Sequence, residues 1–170
     1  MKLWLGTFIF TAGFALAARA EPVEPPHNVT VESSSPQSSA MSTRAATAEI
    51  QGDAQGAVKF ADQGIAADPS DPWPYYNKAE ALARLGQTDA AVATFTQAEQ
   101  HFAAADTWGK SVAVFGRAHA LAQASRCKEA RAAFGEYAAL LKDDPSAAQM
   151  AQRYSDDCDT AARAAQPPKP

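Results

Sequence analysis

A spacing constrains this chain more than any composition does. The stretch GDAQGAVKFADQGIAADP, from Gly52, lies over GQTDAAVATFTQAEQHF, from Gly86, so that Ala57 falls on Ala91 at a separation of 34 residues. A third copy, SRCKEARAAFGEYAALLKDDP from Ser125, puts Ala130 in the place of Ala91 after 39 residues, which implies an insertion between the second and third copies. The segments before each copy keep the same phase: Ala45, Ala79 and Ala118 recur, as do Ala48, Leu82 and Leu121. Within the copies, Ala61, Phe95 and Phe134 recur. Self-similarity at this period specifies a helical hairpin that cannot bury its apolar face alone and must stack on the next one.

Each hairpin carries its own punctuation. Gly52, Gly86 and Ser125 stand where a first helix ends and a left-handed residue is tolerated. Asp68-Pro69 and Asp144-Pro145 stop second helices, because a proline ring excludes helical geometry just before it. Alanine is heavily used while Val, Ile and Thr are sparse, which favours helix and close helix–helix approach. Beyond Pro145, the residues Ala147, Met150, Ala151, Tyr154 and Cys158 fall at three- and four-residue steps on one face of an amphipathic helix. Such a helix covers the last exposed face of a repeat array.

The pattern resembles the tetratricopeptide-repeat (TPR) family over roughly Ser38 to Pro145, about two thirds of the chain. The resemblance implies an all-α, short right-handed solenoid of about three helix-turn-helix repeats plus a C-terminal capping helix, seven helices in all. The expected boundaries are 38–69, 72–105 and 106–145 for the repeats and 146–165 for the cap. Met41 and Ala61 occupy places where the family has larger core residues, and Tyr137 stands where it prefers a small one, which implies altered packing in the third repeat.

The N-terminus reads as an export signal. Lys2 precedes an apolar run from Leu3 to Leu16, and Ala18-Arg19-Ala20 offers the small-x-small pattern of a cleavage site after Ala20. The run is too short for a stable helix across a bilayer of ~30 Å. The expected domain plan therefore begins with a signal peptide at 1–20 and a Pro/Ser-rich flexible linker at 21–37, and the expected compartment is the periplasm. Cleavage removes Lys2 and Arg19, taking the formal net charge from −4 to −6. An acidic surface without a basic stripe argues against nucleic acid. No membrane insertion is expected after cleavage.

An exported chain with two cysteines suggests a bridge. Folding the third repeat and the cap into a hairpin about Asp144 brings Cys127 and Cys158 within ~5 Å of the same height at 1.5 Å per residue. No Cys-x-x-Cys redox pair is present. His27, His101 and His119 lie apart with no metal-ligand spacing, and no nucleophile elbow, P-loop or dinucleotide fingerprint occurs. The expectation is a non-enzyme without cofactor or metal.

The resemblance then says where binding would occur. First helices line the concave face of a TPR stack through the second, fifth, ninth, twelfth and thirteenth repeat positions. Those positions hold Trp73, Tyr76, Glu80, Ala83 and Arg84 in repeat two, and Val112, Phe115, His119, Ala122 and Gln123 in repeat three. Asn77 alone fits the Lys/Asn/Arg set by which some TPR proteins hold a C-terminal carboxylate, since Ser42, Ala46, Val112 and Gly116 replace the other members. The expected function is an extracytoplasmic adaptor that holds a peptide or a partner helix. The competing readings are a self-associating module and an accessory subunit of an envelope enzyme or secretion complex.

Overall fold

The computed structural model describes residues 35–164. The expected signal peptide, its cleavage site at Ala20, His27 and most of the 21–37 linker lie outside them. Seven helices follow one another: α1 (Pro36–Ile50), α2 (Ala54–Ala67), α3 (Pro72–Arg84), α4 (Thr88–His101), α5 (Thr107–Gln123), α6 (Cys127–Leu140) and α7 (Pro145–Ala164). The first helix begins two residues earlier than the repeat boundary at 38 suggests, because Pro36 is preorganised for a first turn and the Ser35 side chain accepts from the Ser38 amide.

Three repeats end their first helices in one way. Gly52, Gly86 and Ser125 have φ of 80°, 74° and 59°. Each is followed by an amide that reaches back to the start of the last turn: Asp53 to the Ala48 carbonyl, Gln87 to Leu82 and Arg126 to Leu121. The left-handed residue itself donates to Glu49, Ala83 or Ala122. This paired closure satisfies carbonyls that a helix end would otherwise leave open. The second-helix stops are equally alike. Asp68 and Asp144 each accept from the amide and hydroxyl of the serine two residues on, at 2.6–3.0 Å.

Packing is sequential. Each helix packs on its successor; in addition α1 touches α3, α3 touches α5 and α5 touches α7, whereas no two of α2, α4 and α6 are in comparable contact. The odd helices therefore form the inner wall of the stack. Between the layers lie the recurrent alanines: Ala45, Ala79, Ala118, Ala57, Ala91 and Ala130 are all 0% exposed. Phe95 and Phe134 fill the matching spaces of the second and third repeats. In the first repeat the equivalent Ala61 leaves the core thin. The fold is an all-α TPR solenoid with a terminal capping helix.

The extra residues between repeats two and three settle mainly in a helix. One lengthens the turn, and the rest make α5 17 residues long against 13 for α3. The added turn, 107–110, starts from Asp106, whose carboxylate accepts from the Gly109 amide at 2.8 Å. A Cβ at Gly109 would lie 2.3 Å from the Phe102 ring, so only glycine lets this turn settle there. At the far end α7 lies on α6 and α5 with Ala147, Ala151, Ser155 and Cys158 buried. Cys127 and Cys158 are bridged, with Cα atoms 5.6 Å apart.

Candidate binding groove

Three hollows follow one another over the inner wall. The first, about 320 Å³, lies between α1 and α3 and is lined by Ser39, Ser42, Thr43, Ala46, Asp71, Trp73 and Asn77. The second, about 220 Å³, is lined by Tyr76, Trp108, Ser111, Val112, Phe115, Tyr137, Leu141 and Met150. The third, about 120 Å³, lies between α3 and α5 and is lined by Glu80, Ala83, Arg84, Gly116, His119, Ala120 and Gln123.

The structure brings most of the expected groove residues to this wall, though several are partly committed to neighbours. Trp73 packs its ring against Phe102, Tyr76 and Trp108 at centroid distances of 5.2, 6.0 and 5.9 Å. Tyr76 continues the series onto Phe95 at 5.7 Å. Asn77 spends its amide on α1, donating to the Ser42 carbonyl at 3.0 Å and its hydroxyl at 2.7 Å. Phe115 turns towards the capping end, where Phe134, Tyr137 and Tyr154 surround it at 5.2–5.7 Å. His119 stacks near Phe115 and meets the Tyr154 ring edge-on at 6.0 Å. Glu80, Arg84, His119 and Gln123 share the smallest hollow.

Four contributors lie outside the groove residues expected from the sequence. Trp108 belongs to the inserted turn of α5, outside the repeat register, and is 42% exposed. Met150 and Tyr154 come from α7, which continues the inner wall as a fourth first helix would. Glu49, at the twelfth position of repeat one, is the fourth. Position alone would have found it, but a carboxylate near a helix end reads as solvated. Its side chain is only 10% exposed and is paired with Arg84.

The electrostatics follow from this crowding. Burial pushes the Glu49 carboxyl up from its ordinary range; Arg84 opposes that shift and Glu80 adds to it. Burial likewise holds the Tyr76 hydroxyl well above the ordinary tyrosine range, reinforced by the Glu80 carboxylate beside it. Gly116 matters to the same spot, since a Cβ there would lie 2.5 Å from the Phe95 ring and 3.1 Å from Glu80 Oε1. Bare backbone of α5 thus lets α3 and its carboxylate come close. Among the described residues no group of three His, Cys, Asp or Glu side chains converges as a metal site would require. Nor is any described helix long and apolar enough to cross a membrane.

Stacked helical hairpins with a lined inner wall define the class: an α-solenoid with a concave groove. The family model described as Tetratricopeptide repeat matches residues 48–105, from the end of α1 through α4. No curated protein matches the chain. Among solved structures, the TPR2B domain of yeast Sti1, in a complex with pHsp70, superposes with a TM-score of 0.61 at 19% identity, covering 74% of this chain and 98% of that one. The Arabidopsis OM64 TPR domain gives 0.59 at 22% identity over 71% of this chain and 95% of its own. The first TPR of Spaghetti (RPAP3), bound to the HSP90 peptide SRMEEVD, gives 0.58 at 19% identity over 71% and 94%. Likeness at these identities establishes the fold.

Proposed function

We propose that this chain is an exported, non-catalytic adaptor that holds a peptide or a partner's helix in the groove formed by α1, α3, α5 and α7. The observation that carries the reading is the Trp108–Trp73–Tyr76 series. Its outermost ring stands 42% exposed beside a hollow of about 220 Å³ lined by further aromatic and aliphatic side chains. A tryptophan left in water at the mouth of a concave face is costly unless something covers it. Rigid rings are also what interfaces use to bury area at low entropic cost. Peptide complexes of the structurally similar TPR domains support the same reading. Export is supported by Lys2, the apolar run and Ala18-Arg19-Ala20, and by a bridged cysteine pair suited to an oxidising compartment.

Two measurements test this reading. Mass spectrometry of the protein from its native cell should find a chain beginning at Glu21, and intact Met1 on a membrane-bound product would contradict export. Crosslinking in the same cell should trap a partner with the natural chain and lose it with Trp108→Ala. Equal trapping by both would remove the groove from the function. The exposed Ile50 (87%) and Leu85 (36%) favour one second reading, self-association along the edge where α1 and α3 end. Size-exclusion of the purified chain separates the two, because only self-association gives a dimer.

A further inference from the structure

The groove is short of cations at the place where its polar groups converge. Arg84 is the one Lys or Arg side chain among the residues lining the three hollows. Its Nε is already held by Glu49. Glu49 is nine-tenths buried, and its Oε1 finds no hydrogen-bond partner. Glu80 lies close enough to Glu49 to act on it and is hydrogen-bonded to the Tyr76 hydroxyl, but among the described residues no cation pairs with it. The single guanidinium of the hollow is thus taken by Glu49 and leaves Glu80 without a cation. Elsewhere on the wall the first hollow holds a third acid, Asp71, satisfied by the Ser38 hydroxyl at 2.8 Å and the Trp73 amide at 3.0 Å. A buried carboxylate with an open acceptor, and a second one beside it that no cation neutralises, are stabilised by an incoming positive charge and destabilised by a negative one.

Resting on the adaptor reading, we propose that the groove selects a cationic peptide: a lysine or arginine seated against Glu80 with an apolar side chain in the neighbouring hollow between Tyr76, Trp108 and Phe115. The geometry sets the spacing. Tyr76 and Glu80 are one helical turn apart on α3, about 6 Å between side-chain origins. An extended peptide advances ~3.3 Å per residue, so the cation and the apolar anchor stand about two residues apart. Glu80 lines the hollow between α3 and α5, and the peptide's charged end would reach the carboxylate through that hollow.

The test uses the purified full chain and a phage-displayed random heptapeptide library, followed by fluorescence anisotropy with the recovered peptides. The expected outcome is enrichment of Lys or Arg two residues from an aromatic or aliphatic side chain. Binding should weaken about tenfold in Glu80→Gln and fall with added salt. Glu80→Lys should turn the preference towards acidic peptides, and circular dichroism of each variant confirms that the helices are intact. Peptides rich in Asp or Glu, or binding indifferent to both Glu80 substitutions, would overturn the cationic preference while leaving the groove in use. Peptides recovered without any dependence on Trp108→Ala would instead overturn the adaptor reading underneath it.

Discussion

Six alanines, two to a hairpin, occupy the contacts between helices, and none has any exposed surface. That makes their volume, not their polarity, the quantity under constraint. Ala91→Leu or Ala130→Leu should destabilise the protein by about 1–3 kcal/mol in urea unfolding, because added methylenes have nowhere to go between close-packed helices. Ala105→Leu, in the exposed turn before α5, should change stability by less than about 0.5 kcal/mol. Equal losses at all three would contradict the packing described. Glu49 gives a pH prediction with a definite sign. Its folded pKa is raised above the ordinary 4.5, so the folded state binds its proton more readily than the unfolded chain does. The resulting stability is fully present below 4.5 and is lost as pH rises through the raised folded value. Asp68 and Asp144, held low by the serine two residues on, act in the opposite sense and at lower pH, so the windows separate. Glu49→Gln should therefore flatten the slope of unfolding free energy in the pH range just above 4.5, and an unchanged slope would assign it elsewhere. At this scale the alanines were legible in the sequence because their recurrence reports a volume limit. Glu49 was not, since burial of a carboxylate depends on Arg84 arriving from another helix.

Between residues and the whole lie the helices, and here the insertion and the cap are instructive. A spacing of 39 residues announces extra chain, but not that four of the five added residues would extend α5. The turn 107–110 has no apolar period of its own; it forms because Asp106 caps it and Gly109 fits under the Phe102 ring. Trp108, the most exposed ring of the groove, was hidden from a reading by repeat position for that reason. The capping helix was legible from its three- and four-residue stripe, and equal heights along the hairpin anticipated the Cys127–Cys158 bridge. Tyr137 behaves as its misfit size implies. It is half-buried, packs on Phe115 at 5.2 Å and approaches the Met150 sulfur at 3.8 Å, so it ties α6 to the first turns of α7. The bridge closes a 31-residue separation, which the chain-entropy model values at about 3–4 kcal/mol. Reduction should lower the melting temperature by something on the order of 10 °C while leaving the helical circular dichroism at 20 °C intact. Peptide binding should survive, because both cysteines lie away from the three hollows. Two free thiols in protein from its native compartment, or unaltered melting on reduction, would remove the bridge from the stability of the cap.

Over the whole molecule the stack is uneven, and its weakest part sits at the start. Large buried side chains concentrate in the later repeats, where Phe95, Val114 and Phe134 are almost wholly enclosed. The buried positions of α1 are Ser38, Ser42, Ala45 and Ala48, and those of α2 are Ala57, Ala61 and Gly64. Small side chains bury little apolar area, so this hairpin gains far less from the hydrophobic effect than its neighbours do. Polar ties within the hairpin and to its neighbour compensate in part. The Ser35 amide donates to Asp68 at 3.1 Å, the Ser38 hydroxyl to Asp71, Asn77 to Ser42, and Arg84 pairs with Glu49. Such ties contribute about 1 kcal/mol each at most when water can replace them. In an array whose stability is the sum of repeat and interface terms, a weak terminal hairpin opens without the rest. The opposite end is protected by α7 and its bridge. Native-state hydrogen exchange should accordingly find amides of α1 and α2 exchanging through a sub-global opening, at a free energy well below that of α4 and α6. Asn77→Ala, which removes two hydrogen bonds to α1, should lower the α1 value by about 1–2 kcal/mol and leave α6 unchanged. Uniform protection across all the helices, or a loss in Asn77→Ala that spreads equally to α6, would mean that the stack folds and opens as one unit.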